Sequence, residues 1–513
     1  MSDRYYDVVV LGRSLGALVA AALLARRELT VLVLGQGKLP AQYQFEGTTL
    51  RRRAFTMLAG GSPAWRRVLA ELAQTQLWRR RSRLVEPVLQ VIMPGRRFEI
   101  SGDRELFGRA VEREFPEARR LVAGLYAELG RVRAAADAAF DREALWPPGT
   151  FLERRETGRL AATLPYARAE PHADLLAEFP RAHPYRRIVA ESIRFATDLA
   201  SPPPAFAVAR LHGSWASGPC ALGGGEQELE QLLLDRIAVH GGRHLMGERA
   251  VRLDVRRGAA CGARIDGDAG TVGTGFVISD LTGEEVAALG GGEGISERAQ
   301  REWPRIRSPV ARVVVSVAVR RAGVPAPLGP ETLMLSPVAG EDGAAPAIHL
   351  QRVDISGTDQ VLLVAELLLG ERGPLRLRDV RQHVVARLCA ALPFLERHLL
   401  LADCVHDGLP LWRYGPAAAG PELVERVAVT GTSARAEPAE RQIEVDPPGY
   451  LGLAGEPIRG PIERTLLVGP SVLPGLGQEG RLLAALGVAR LVTRSDRRKA
   501  RMRRETWTKI DIG

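Results

Sequence analysis

The stretch Asp7-Val8-Val9-Val10-Leu11-Gly12-Arg13-Ser14-Leu15-Gly16-Ala17, continued by an apolar run to Arg27 and by Thr30-Val31-Leu32-Val33-Leu34, decides the fold class. Val8–Leu11 and Val31–Leu34 are apolar without alternation, so each reads as a strand covered on both faces, and Leu15–Arg27 reads as an apolar helix between them. Two such strands joined by one helix form a parallel β-α-β unit, which belongs to an α/β fold.

The turn of that unit carries the chemistry. Gly12, Arg13, Ser14, Leu15 and Gly16 stand after a strand and at the start of a helix, where G-x-G-x-x-G binds a dinucleotide. The helix N-terminus offers free amides and a partial positive charge to a phosphate, and Arg13 adds to it. Ser14 replaces the glycine that lets backbone approach the pyrophosphate, and Ala17 replaces the last one. A carboxylate roughly 20 residues further on normally holds the ribose. Leu34-Gly35-Gln36 stands there without an acid, which leaves Gln36 as the candidate hydrogen-bonding group. If a ribose lies at Gly35, Gly35→Glu should tighten nucleotide binding.

Outward from this unit, 513 residues suggest two or more domains, and 46% hydrophobic with 25% charged residues describe an ordinary globular chain. The net charge of +10 comes with many arginines and no nucleic-acid module, so no nucleic-acid partner is expected. The four cysteines are far apart, which indicates neither a zinc site nor a disulfide framework and fits a reducing cytoplasm. No apolar stretch reaches the roughly 18 residues of a membrane span, and no secretory signal is evident. Between Ser62 and Ser201 no sheet pattern is visible, and helices are expected at Ala64–Leu77, Glu105–Gly130 and Arg186–Leu199. A helix from Glu226 to His240 then precedes strands at Ala250–Val255, Ala259–Ile265 and Gly273–Ser279. Further strands are expected at Pro309–Val319, Ala347–Asp354 and Val361–Leu369, a long helix at Val380–Leu401, and a last strand and helix at Arg464–Gly469 and Gly480–Thr493.

Three separated segments resemble the phytoene desaturase and carotenoid isomerase branch of the FAD-dependent amine-oxidase-like superfamily. They are Val8–Leu34, then Leu222-Gly223-Gly224-Gly225-Glu226 with the strands after it, and then Leu466–Gly480, which contains Gly469-Pro470-Ser471-Val472-Leu473-Pro474-Gly475-Leu476-Gly477-Gln478-Glu479. The resemblance implies a Rossmann-like FAD/NAD(P)-binding domain, discontinuous in sequence (residues 1–75, 220–290 and 455–495), with an inserted α+β substrate domain (76–219 and 291–454). It implies FAD as cofactor, held by the glycine turn, Gln36, Val251, Gly469, Gly475, Gly477, Gln478 and Glu479. It departs from the family at Lys38–Gln44, where a paired-glycine, arginine-containing stretch is usual and only Arg51–Arg53 supply nearby cations.

By this resemblance the chain is an FAD-dependent oxidoreductase of desaturase or isomerase type, acting on a hydrophobic, isoprenoid or carotenoid substrate. A degenerate, non-catalytic relative that binds a lipid or prenylated partner, as Rab escort and GDP-dissociation-inhibitor proteins do, is the rival reading. No triad, metal motif or phosphate-binding Walker loop stands out, and no catalytic residue is assigned. Trp215, Trp412 and Tyr414 are candidates for a substrate channel but read more readily as packing. The basic end, residues 496–513 with Arg494 before it, is expected to meet an anionic membrane surface, the reservoir of an apolar substrate.

Overall fold

Hydrophobic runs without alternation become the central strands of a seven-stranded sheet. The computed structural model describes residues 5–167, 174–267, 270–336, 345–415, 420–433 and 435–495. In chain order the elements of this first layer are β1 (Tyr5–Leu11), α1 (Leu15–Arg26), β2 (Val31–Leu34), α2 (Gly225–Val239), β3 (Arg243–Leu245), β4 (Ala250–Arg256), β5 (Ala259–Ile265), β6 (Thr271–Ser279), β7 (Thr465–Leu467) and α3 (Gly477–Ser495). The strand order is β4-β5-β6-β1-β2-β3, with β7 also pairing β6. The pairs β3–β2, β2–β1, β1–β6 and β6–β7 are parallel, whereas β4, β5 and β6 form an antiparallel run. Val8, Val9, Val10 and Val31 are fully buried, as strands covered on both faces require. Helix α1 packs between α2 and α3.

A second, ten-stranded and mostly antiparallel sheet is built from residues 89–100 and 305–446. Its spine is the long strand Arg305–Arg320, which pairs Gln360–Gly370 on one side, and Leu399–Asp403 and Glu440–Asp446 on the other. The helix Val380–Ala391 covers one face through Val380, Val384 and Leu388. Among the described residues no helix is long and apolar enough to cross a membrane. The basic end, 496–513, lies outside the described residues.

Several expected elements change. Ser62–Ser201 holds strands after all: Leu89–Met93 and Arg96–Ile100 form a hairpin around Pro94-Gly95, with Gly95 at φ +72°, and join the second sheet. The helix expected at Glu105–Gly130 is two, Arg104–Glu114 and Arg119–Phe140, because Pro116 cannot continue the first. Ala64–Leu77 likewise divides into Pro63–Glu71 and Thr75–Arg81 at Ala73, which has φ +54°. Val380–Leu401 stops at Ala391, before Pro393, and its last residues become a strand.

Candidate functional site

At the carboxyl end of β1 the chain turns through Gly12, whose φ of +124° a side chain rarely adopts. Ser14 caps α1, its hydroxyl accepting a 3.4 Å bond from the Ala17 amide. Gly16 lies so close to β7 that a Cβ there would come 2.3 Å from the Val468 carbonyl oxygen. The sequence expectation of a tight strand-turn-helix is met in this backbone.

The anion at the turn is the protein's own. Asp280 follows β6, the parallel neighbour of β1, and its buried carboxylate accepts bonds from the amides of Arg13 (3.0 Å) and Ser14 (2.8 Å). Its other oxygen meets the Lys38 ammonium at 2.8 Å. A Cβ on Gly12 would fall 2.0 Å from the Asp280 carboxylate, so the absent side chain there makes room for aspartate. Burial opposes the charge, but Lys38 and the Ser14 amide outweigh it and hold the pKa below the ordinary value. The Arg13 guanidinium turns away to the buried Glu230, 2.5 Å off.

The other predicted contacts are also engaged within the chain. Gln36 exchanges two bonds with the Ala250 backbone, at 2.9 and 3.0 Å, next to Val251, whose own side chain is exposed. At Gly35 a Cβ would stand 2.0 Å from the Met246 carbonyl oxygen, so the expected benefit of Gly35→Glu is overturned by lack of space. Gly469 lies over the Asp280 backbone, Gly475 over Leu453, and Gly477 against the Ala196 carbonyl. Gln478 accepts from the amides of Leu58 and Ala59 and donates to the Thr56 carbonyl, pinning that segment. Glu479 is buried on Arg210 (2.6 Å) and Ser62 (2.5 Å). Arg51, Arg52 and Arg53 are bonded to Gln351, Glu437 and Glu226.

At the turn as folded, the place a phosphate would take is held by the Asp280 carboxylate. The two amides that would bind a phosphate there, those of Arg13 and Ser14, donate to the Asp280 carboxylate instead.

A cavity of about 1010 Å³ lies elsewhere, between the helices Pro184–Ala196 and Ala205–Ala216 and the end of the Leu89–Met93 strand. Its wall is largely apolar, with Met93, Leu176, Ile193, Leu199 and Leu335 among the lining residues. Arg96, Arg181 and Arg187 line it too. At Thr197 the wall touches the C-terminal glycine loop: the Thr197 hydroxyl and the Asp198 amide both donate to the Pro474 carbonyl, at 3.0 Å. Trp215, Trp412 and Tyr414 are not among the lining residues. Trp215 donates to the Ser192 carbonyl, while Trp412 and Tyr414 pack on the second sheet.

One titratable cluster went unread in the sequence. His349 lies between Glu331 (2.7 Å) and Glu366 (3.3 Å), and Arg312 pairs with Glu366 (3.2 Å). Burial disfavours its charge, but the two carboxylates prevail and raise its pKa to about 9. The Thr56 hydroxyl donates to Glu331, which ties the cluster to the segment that Gln478 pins. Asp280 could have been found from sequence by one rule: residues just past neighbouring parallel strands line the same crevice.

No family model matches the chain, and no curated protein matches it by sequence. Solved structures do match in fold. An oxidoreductase from Methanosarcina mazei aligns over 94% of this chain and 99% of its own, at 16% identity and a TM-score of 0.56. The PF1083 protein from Pyrococcus furiosus aligns over 94% and 95%, at 15% identity and 0.53. A putrescine oxidase variant redesigned in cofactor binding aligns over 96% and 99%, at 13% and 0.54. The chain has the fold of these proteins, an oxidoreductase and a putrescine oxidase among them.

Proposed function

We propose that this oxidoreductase-fold chain acts on a hydrophobic small molecule held in the cavity of about 1010 Å³. The observation that carries the reading is the cavity's contact, through Thr197, with the glycine loop at Pro474. Within the fold resemblance, that loop faces the redox end of the cofactor. An apolar wall accompanied by arginines suits an isoprenoid or similar chain with an acidic end.

Two readings share this ligand. In the first the chain is an FAD-dependent oxidoreductase of desaturase or isomerase type, of which the fold likeness supports the oxidoreductase part alone; it requires Asp280 to leave the turn. In the second it holds a lipid or prenylated partner without redox chemistry, and the Asp280 carboxylate at the phosphate position favours it.

A fluorescent polyene fatty acid titrated into the purified protein tests the shared part. Saturable binding that is weakened in Val208→Trp, which narrows the cavity, supports it; no saturable binding refutes it. Flavin absorbance after incubation with FAD separates the two readings.

A further inference from the structure

We propose that Asp280 is a built-in occupant of the pyrophosphate position, and that its carboxylate is what keeps a dinucleotide out of the turn after β1. The inference rests on reading this turn as the cofactor's place and is independent of the cavity.

Four observations converge on it. The two amides that a Rossmann turn presents to phosphate, those of Arg13 and Ser14, both donate to one Asp280 oxygen. Lys38, from the stretch that departs from the family pattern, supplies the neighbouring cation to the other oxygen. Gly12 leaves the space that the carboxylate fills, since a Cβ would overlap it at 2.0 Å. Finally, Asp280 is fixed from behind: its amide donates to the Leu11 carbonyl (3.0 Å), and Gly469 packs on its backbone. A carboxylate is the smallest side chain that offers these three donors the acceptor geometry of one phosphate edge. Because it is tethered, its effective concentration at the turn exceeds that of a free nucleotide. Arg13, which would otherwise aid an incoming anion, is held by Glu230 at 2.5 Å.

Asp280→Asn keeps the shape and one acceptor oxygen while removing the charge, and Asp280→Ala removes the occupant. Equilibrium dialysis with FAD, ADP and inorganic pyrophosphate is run on the full-length protein and both variants, with circular dichroism to confirm folding. The wild-type chain should bind all three weakly, and both variants at least about tenfold more tightly, because a like charge is gone in each and Asp280→Ala also releases the two amides. Tighter binding of ADP and pyrophosphate without tighter FAD binding sustains the occupant and discards FAD as the ligand. If Asp280→Ala does not fold, Asp280→Asn decides. Stoichiometric FAD in the purified wild-type protein, or folded Asp280→Asn that binds none of the three more tightly, overturns the proposal.

Discussion

Raising the pH should weaken this fold through one imidazolium. His349 is clamped between Glu331 and Glu366, and its pKa is raised to about 9 against an ordinary 6.5. A group whose folded pKa is raised gives its full stabilisation below the unfolded value and loses it as pH rises through the folded one. The window is therefore between 6.5 and about 9. Within it the folded state retains a proton that the unfolded chain has released, so stability falls by roughly 1.4 kcal/mol per pH unit and by roughly 3 kcal/mol in all. Urea unfolding followed by tryptophan fluorescence at half-unit steps from pH 6 to 10 measures this. His349→Gln keeps a donor toward one carboxylate but cannot titrate; it should be less stable than wild type at pH 6 and lack the steep decline. A wild-type profile flat across this window, or an equal decline in His349→Gln, would refute the assignment of the proton to this site.

Arg210→Met should lower stability by about 3–5 kcal/mol, since it strands the buried carboxylate of Glu479; thermal melting measures it, and a change under 1 kcal/mol by this estimate would show that Glu479 is neutral there. Gly35→Ala should cost roughly 1–3 kcal/mol by overpacking against Met246, without any gain in FAD affinity by dialysis. Burial lowers the pKa of His212 to about 4, so this neutral imidazole stabilises the fold above pH 6.5 and the contribution is lost as pH falls toward 4; His212→Gln should flatten that acid limb of the urea profile. The basic end should drive co-sedimentation with anionic vesicles at low salt that fades at high salt, and a chain ending at Ser495 should sediment no more than with neutral vesicles.

Periodicity alone determined the β1-α1-β2 unit at the centre of the first layer, but not the edge strand β3. Val8–Leu11 and Val31–Leu34 are too uniformly apolar to be half-exposed, and the helix between them leaves only a parallel pairing, which the register Val8↔Val31 to Leu11↔Leu34 displays. The hairpin at Leu89–Ile100 shows no sheet pattern in the sequence, and its strands become legible only beside Glu331–Met334, more than two hundred residues away. The candidate site divides along the same line. Gly12, Ser14 and Gly16 announce a turn that binds an anion, because glycine freedom and helix amides are local properties. Which anion occupies it was decided by tertiary structure: Asp280 is separated from Ser14 by 266 residues and reaches it only because β6 runs parallel beside β1. A motif states what a backbone can bind; a distant carboxylate delivered by the neighbouring strand competes for the same donors, and that competition depends on which strands are adjacent.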